Sequence, residues 1–133
     1  MKVLFWAALV IVVGGLLYIR LAPHDAASLH LPVPGEENAD MATGAIRVAN
    51  TDDIGFSAAI AYLESLPRTD RLVGRAEEGL VTFVSRSRVM GFPDYTTLEY
   101  RDGKLKAYAR LRFGQSDLGV NRKRLEGLIA AIQ

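Results

Sequence analysis

The stretch YTTLEYRDGKLKAYARLRF, at residues 95–113, predicts a β-hairpin. Two runs of alternating apolar and polar residues flank Asp102-Gly103, which suits a two-residue turn because both positions need positive φ. Such a turn fixes which residues face each other. The predicted pairs are Tyr100 with Leu105, Leu98 with Ala107 and Thr96 with Ala109 on the apolar side, and Glu99 with Lys106 and Thr97 with Tyr108 on the polar side. Turn chemistry and side-chain alternation therefore predict the same register.

Outward from the hairpin, the sequence predicts three more strands and two helices. The strands are residues 45–50, 71–77 and 80–89; one helix follows Asp52 and Asp53 and ends at Pro67, and the other carries Val120, Leu125, Leu128, Ile129 and Ile132 on one side. This order predicts an α+β fold, a two-layer sandwich of an antiparallel sheet with two helices on one face. The other face of the sheet is left to solvent or to a partner.

Residues 3–19, VLFWAALVIVVGGLLYI, contain no charge and predict a transmembrane helix, so residues 1–22 are assigned to an anchor. Trp6 and Tyr18 lie near its ends, where aromatic rings settle at the headgroup level. The run is longer than the apolar core of most signal peptides and has no clean small-residue cleavage site, which favours an anchor over a cleaved signal peptide. Lys2 and the amino terminus slightly outweigh Arg20, which favours an internal amino terminus.

Residues 23–44 are predicted to be a flexible linker, because they contain three prolines, two glycines and few large apolar side chains. Residues 45–133 are then the folded α+β domain. Removal of the linker is expected to leave that domain folded. The expected location is the cell inner membrane, crossed once, with the domain facing the periplasm or the outside.

The residue types exclude several kinds of site. The chain has no cysteine, and neither histidine, His24 or His30, lies in the predicted domain. Thiolate zinc sites, cysteine nucleophiles, a Ser-His-Asp triad and a histidine general base are thus unavailable within it. His24 and His30 lie on the predicted linker, where two histidines are usually solvated rather than bound to metal. We expect neither a cofactor nor a metal.

Three carboxylates, Asp94, Glu99 and Asp117, are candidates for general acid–base chemistry. Each also has a structural interpretation. Asp94 lies in a Gly-Phe-Pro-Asp turn composition, Glu99 has Lys106 as a cross-strand partner, and Asp117 precedes a helix. The structural interpretations are favoured, and no catalytic residue is assigned.

A set of basic residues shares the predicted free face of the sheet. Residues two apart on a strand point to the same side, and arginine presents a planar fork of donors matched to phosphates and carboxylates. The candidate ligand-binding residues are Arg86, Arg88, Lys106, Tyr108, Arg110 and Arg112. The alternative is that the arginine stems cover the exposed sheet while their charged groups stay in water.

Two stretches, FVSRSRVMGFPDYTT at residues 83–97 and ARLRFGQSDLGVNRKR at residues 109–124, resemble the domain-of-unknown-function 1499 family of bacterial envelope and plastid proteins. The resemblance covers roughly residues 52–132. Many members carry a cysteine-containing segment after the anchor; the corresponding residues 21–28 here have no cysteine. The family has no agreed activity, so the resemblance implies an envelope setting but no mechanism.

The leading hypothesis is a membrane-tethered binding or assembly module of the cell envelope, whose partner is the membrane and an anionic lipid, a glycan or an acidic protein. An enzyme of unknown class and a purely structural envelope component are the alternatives. Nucleic acid is disfavoured, because an external domain rarely meets it and the aromatic residues are too few for a stacking platform.

Overall fold

The computed structural model describes residues 1–133 and places an apolar helix ahead of an α+β domain. The helix α1 (Lys2–Leu21) is long and apolar enough to cross a membrane or to serve as a signal sequence, and it buries no residue against the domain. The remaining helices are α2 (Ala26–Leu29), α3 (Asp53–Ser65) and α4 (Val120–Ile132). The strands are β1 (Ala39–Met41), β2 (Gly44–Asn50), β3 (Thr69–Arg75), β4 (Leu80–Arg86), β5 (Pro93–Arg101) and β6 (Lys104–Leu111).

The six strands form one open antiparallel sheet in the order β1-β2-β6-β5-β4-β3. The β5–β6 hairpin confirms every predicted pair, including Leu98 opposite Ala107 and Glu99 opposite Lys106. Asp102 has a φ of 53° and Gly103 a φ of 74°, the conformation that the Asp-Gly turn requires. Turn chemistry therefore determines the register at the centre of the sheet.

Helices α3 and α4 pack on one face of this sheet, which confirms the predicted two-layer α+β architecture. The Asp52 side chain caps α3 by accepting a hydrogen bond from the Gly55 amide at 2.8 Å. The core between the layers consists of apolar side chains, including Phe56, Leu63, Phe83, Leu98, Leu105, Leu125 and Leu128. Burial of this face stabilises the domain through the area removed from water.

Three details differ from the sequence-based expectations. Strand β1 lies within the predicted linker, where its three residues are too few to show an alternating pattern. Strand β4 ends at Arg86, so Arg88 lies in the following turn rather than on the sheet. Residues Ala76–Glu78 form a 3₁₀ turn that ends at Gly79 with a φ of 68°, so β3 ends at Arg75 and not at residue 77.

The predicted linker contacts the second face of the sheet instead of crossing solvent. We call residues 22–38 the strap. Its Ala22 and Val33 are buried, and on the sheet below it Thr82, Tyr95 and Thr97 are at most 2% exposed. These three side chains point away from the helices, and the strap shields them together with the arginine side chains on the same face. The stretch predicted as a flexible linker thus lies against the sheet, and the structure has three layers: helices, sheet and strap.

Candidate functional site

The strap covers the face on which the sequence predicted an anion-binding surface. The Thr97 hydroxyl donates to the Leu29 carbonyl at 3.3 Å, and His30 Nδ1 lies 3.0 Å from Thr82 Oγ1. Gly35 passes so close to the sheet that an added Cβ would lie 3.3 Å from Ile46 Cδ1. The strap thus runs along the length of the face. The sequence predicted that this face is open to solvent or to a partner, but the strap covers it.

Arg110 is the centre of this covered face. Its Nη2 donates to the Leu29 carbonyl at 2.9 Å and its Nη1 donates to Thr97 Oγ1 at 2.8 Å. The guanidinium carbon lies 4.7 Å from the centre of the Tyr108 ring and 5.8 Å from that of Tyr95. Burial lowers the pKa of Arg110 from its ordinary value, with the two tyrosines acting in the opposite direction. Its donors hold the strap rather than face solvent.

Arg86 and Arg112 meet the start of the strap at His24. Arg86 Nη2 lies 3.2 Å from His24 Nε2, and His24 Nδ1 lies 2.7 Å from the Tyr95 hydroxyl. Because a guanidinium only donates, His24 Nε2 is the acceptor and its Nδ1–H donates to Tyr95. Arg112 Nη1 donates to the Pro23 carbonyl and to the same hydroxyl, both at 3.2 Å. A neutral imidazole therefore joins the strap to the sheet.

The other predicted binding residues are placed differently. Lys106 Nζ lies 2.7 Å from Glu36 Oε1 of the strap and 3.3 Å from Glu99 Oε1. The second contact confirms the predicted cross-strand pair, and the lysine charge is paired with two carboxylates of the chain. Tyr108 stacks under Arg110. Arg88 is exposed in the β4–β5 turn, away from the others. The structure thus brings five of the six residues onto one face, as predicted. Their side chains make contacts within the domain.

The His24 contact predicts a pH-dependent strap. Burial, followed by the positive charges of Arg86 and Arg112, lowers the pKa of His24 from its ordinary value of 6.5. The unfolded chain then binds more protons than the folded one, so the stability from this contact is complete above about pH 6.5 and is lost as the pH falls through the folded pKa. Wild-type chain should lose more melting temperature between pH 7.5 and pH 5 than H24Q, which keeps a donor and an acceptor but does not titrate.

An equal loss of melting temperature in the two proteins over that pH range would show that His24 does not link the strap to pH.

A polar cavity lies at one end of the sheet, near the start of the strap. It has a volume of about 280 Å³ and lies at the end of the sheet where β4 and β6 finish and α4 begins. We call it the α1-side cavity, because Phe113 in its wall packs edge-to-face on Tyr18 of α1, with ring centres 6.5 Å apart. Its lining includes Arg68, Arg86, Asp94, Ser116, Asp117 and Arg124. Both signs of charge therefore line a single recess.

A fixed hydrogen-bond network forms the wall of the α1-side cavity. Asn121, at 0% exposure, donates from Nδ2 to Asp94 Oδ2 at 3.1 Å, and its Oδ1 accepts from Arg124. Arg124 Nη1 also lies 3.8 Å from Asp94 Oδ2. Asp117 accepts from the Gly119 amide at 2.9 Å and from the Asn121 amide at 3.2 Å, which confirms its predicted place at the helix start. The polar groups of this wall are held in one arrangement before any ligand arrives.

Burial shifts the pKa of each of the two central groups of the network. It raises the pKa of the Asp94 carboxyl from its ordinary value, with Arg124 and Asn121 acting in the opposite direction. Burial likewise lowers the pKa of Arg124, which Asp94 counteracts. The serines and Arg68 add hydrogen-bond donors around the recess. The arrangement can hold a small polar group that carries an anion and its own donors.

The sequence did not indicate this cavity. Asp94 was interpreted as a turn residue, but it lies in β5 and faces α4. The lining residues come from strands, loops and a helix that lie far apart in the chain, so no local spacing reveals them. One signal was present: the two stretches at residues 83–97 and 109–124 supply most of the lining.

Comparison with known families gives one match. The family described as "Protein of unknown function (DUF1499)" matches residues 23–132, a region that includes the strap from Pro23 onward. No curated protein matches the chain.

Proposed function

We propose that this chain, which belongs to the DUF1499 family, is a membrane-tethered binding module of the cell envelope whose polar ligand occupies the α1-side cavity. Helix α1 is its anchor, and the strap and sheet form a rigid frame that presents the cavity close to the membrane. The observation that carries the proposal is that the buried Asn121 holds Asp94 and Arg124 in place, and these two side chains line a cavity together with Arg68 and the serines.

The anchor follows from the properties of α1. The helix has 20 residues with a mean hydropathy of 2.2 in its most apolar window and no residue buried in the domain. A helix of this length matches the hydrocarbon thickness of a bilayer. If it only completed the fold, it would bury one side against the sheet or the helices. Because the helix is apolar on all sides and none of its residues is buried, a lipid environment accounts for its composition.

Binding is better supported than catalysis. An enzymatic role has one observation in its favour, the presence of Asp94 and Asp117 in the same recess. However, Asp117 already accepts two backbone hydrogen bonds and Asp94 is engaged by Asn121 and Arg124. General acid–base chemistry needs a carboxyl that is within reach of the substrate. These two carboxyls instead fix the shape of the wall.

The cavity assignment predicts where a simple anion binds. Inorganic phosphate added to the full chain in detergent micelles should shift the backbone amide signals of residues 85–87 and 113–118, since the guanidinium groups of the lining attract it. V120W should reduce the affinity at least about tenfold, because Val120 lines the opening and is 50% exposed. The matched control is I54W, which changes a 78% exposed residue in the first turn of α3, away from the cavity.

The cavity assignment fails if phosphate shifts no amide signal in these two segments. It fails equally if V120W and I54W bind phosphate as the wild type does.

The topology is a separate prediction. Lys2 and the amino terminus before α1 favour an internal amino terminus. An alkaline phosphatase reporter fused after Gln133, which is active only outside the cytoplasm, should therefore be active in cells. A reporter that folds only in the cytoplasm should be inactive at the same position, and the reverse pattern would contradict the proposed orientation.

A further inference from the structure

The α1-side end of the domain exposes large apolar side chains that the fold does not use. Val89, in the turn between β4 and β5, is 80% exposed, and Leu118, in the loop before α4, is 89% exposed. Met90 and Val120 beside them are 41% and 50% exposed. Single exposed apolar residues are common, but these four lie at one end of one sheet. Together they make the surface at this end of the domain apolar.

Leu118 is held outward at a conformational cost. Its φ is 54°, a left-handed conformation that is unfavourable for a bulky side chain. The Leu118 amide donates to Ser116 Oγ at 3.2 Å, and the next amide, of Gly119, donates to Asp117 Oδ1 at 2.9 Å. Hydrogen bonds thus fix the loop in a shape that directs leucine into the surroundings. Folding alone gives no reason for leucine at this position.

The turn that carries Val89 is fixed in the same way. The Phe92 amide donates to Ser87 Oγ at 2.9 Å, and the Gly91 amide donates to the Ser87 carbonyl at 3.2 Å. Arg86 Nη1 donates to the Gly91 carbonyl at 3.0 Å from the strand below. The tip that remains, Arg88, Val89 and Met90, is exposed. A rigid turn therefore presents one arginine beside two apolar side chains.

Charge is distributed unequally between the two ends of the sheet. Exposed cations at the α1-side end include Arg20, Arg68, Arg88, Arg122 and Lys123, against the exposed carboxylates Asp25, Asp40 and Asp70, while Arg71 and Glu64 pair with each other. Exposed carboxylates at the opposite end include Glu36, Asp52, Asp53, Glu77, Glu78 and Asp102, against the exposed cations Arg75, Arg101 and Lys104. The α1-side end is thus the one suited to an anionic surface.

The same end is continuous with α1. Tyr18 packs on Phe113, and Arg20 lies against Gly91, where an added Cβ would come within 2.7 Å of Arg20 Nε. The α1 helix ends at Leu21 and the strap begins at once, with Ala22 buried. The turn of Val89 and the loop of Leu118 therefore lie beside the point where α1 leaves the domain.

We propose that the α1-side end docks on the bilayer that holds α1, with Val89 and Leu118 inserted at the boundary of the hydrocarbon and Arg88 and its neighbours on anionic headgroups. Apolar tips surrounded by cations match the layered chemistry of that surface. The proposal rests on the anchor assigned in the proposed function and is independent of any ligand in the α1-side cavity.

The absence of cysteine gives a direct test, because single-cysteine variants can be spin-labelled at one site. The full chain is reconstituted in nanodiscs that contain one-third phosphatidylglycerol, with labels at V89C and L118C and a control label at D102C on the opposite end. Labels at 89 and 118 should be more accessible to oxygen than to a water-soluble nickel chelate, as inserted sites are. The label at 102 should show the accessibility of an aqueous site.

Two variants separate the contributions of charge and apolar contact, both read from the label at 89. R88Q should lower the docked population about fivefold relative to the undocked one, since one basic residue at an anionic surface has about that effect. L118N should lower it as well while the loop stays folded, because asparagine tolerates a left-handed conformation. Pure phosphatidylcholine nanodiscs should reduce docking for the wild type.

Aqueous accessibility at both 89 and 118 in anionic nanodiscs would overturn the proposal. A second result would also overturn the proposal. If the labels at 89 and 118 are as shielded from the nickel chelate in detergent micelles as in nanodiscs, and the shielding rises with protein concentration, these apolar side chains contact a second copy of the chain. An intact-mass measurement that shows removal of α1 from the mature protein would overturn the anchor, whereas the phosphate titration of the cavity would stand or fall by itself.

Discussion

A chain that begins at residue 39 should be about 2.5–6 kcal/mol less stable to unfolding than a chain that begins at residue 22. Both lack α1, so the comparison isolates the strap. Val33 is 5% exposed and loses its burial, which contributes about 1.5–3 kcal/mol. The hydrogen bonds of Arg110 to Leu29 and of Arg112 to Pro23 contribute about 0.5–1.5 kcal/mol each. Removal of the strap also exposes Tyr95, now 2% exposed.

Urea unfolding followed by circular dichroism measures the difference directly. The chain from residue 22 should unfold in one cooperative transition, and the chain from residue 39 should unfold at lower urea or not fold at all. Equal midpoints and slopes for the two chains would mean that residues 22–38 are the flexible linker that their composition suggests.

Replacement of Leu98 by alanine should cost about 2–5 kcal/mol of unfolding free energy. Leu98 is 0% exposed on the face of β5 that packs against the helices, so its removal leaves a cavity in the core. The matched control is I54A, at a residue that is 78% exposed, which should change stability by less than about 0.5 kcal/mol.

Urea unfolding of both variants at pH 7.5 provides the measurement. A loss below about 0.5 kcal/mol for L98A would contradict the assignment of the core face. Alternation along β6 places Leu111 on the core face as well, but replacement of Leu111 by alanine is a weaker test. Leu111 lies at the end of the strand and lines the α1-side cavity.

The sheet was predictable because local chemistry determines it. Asp102 and Gly103 specify a tight turn, and alternation on both sides of the turn agrees with one register, so the pairs from Glu99–Lys106 to Thr96–Ala109 follow from the chain alone. The two helices were predictable from the periodic spacing of residues such as Phe56 and Leu125. Each of these signals lies within about ten residues of sequence.

The strap was not predictable, because its contacts use groups that a sequence does not distinguish. Arg110 and Arg112 bind the carbonyl oxygens of Leu29 and Pro23, and every residue carries a carbonyl. The strap has no long regular element, and its prolines and glycines are equally common in flexible linkers. Only the pairing of His24 and Glu36 with basic residues of the sheet has a side-chain signal, and it spans more than 60 residues.

The candidate site was predictable in part. Side-chain alternation placed Arg86, Lys106, Tyr108, Arg110 and Arg112 on one face, and the structure agrees. The same argument took that face to be open, whereas its donors hold the strap. The α1-side cavity depends on the approach of Asp94 to Asn121 and Arg124, which lie 27 and 30 positions later in the chain. Such an approach follows from tertiary packing and not from local pattern.

The central claim is that residues 22–38 form a fixed layer over the second face of the sheet, with the α1-side cavity open beside it. Double electron–electron resonance between spin labels at S28C on the strap and D102C on the β5–β6 turn tests it most directly, since both sites are exposed and the chain has no other cysteine. The strap predicts a single narrow distance distribution. A broad distribution, of the width that a flexible chain of this length produces, would contradict it.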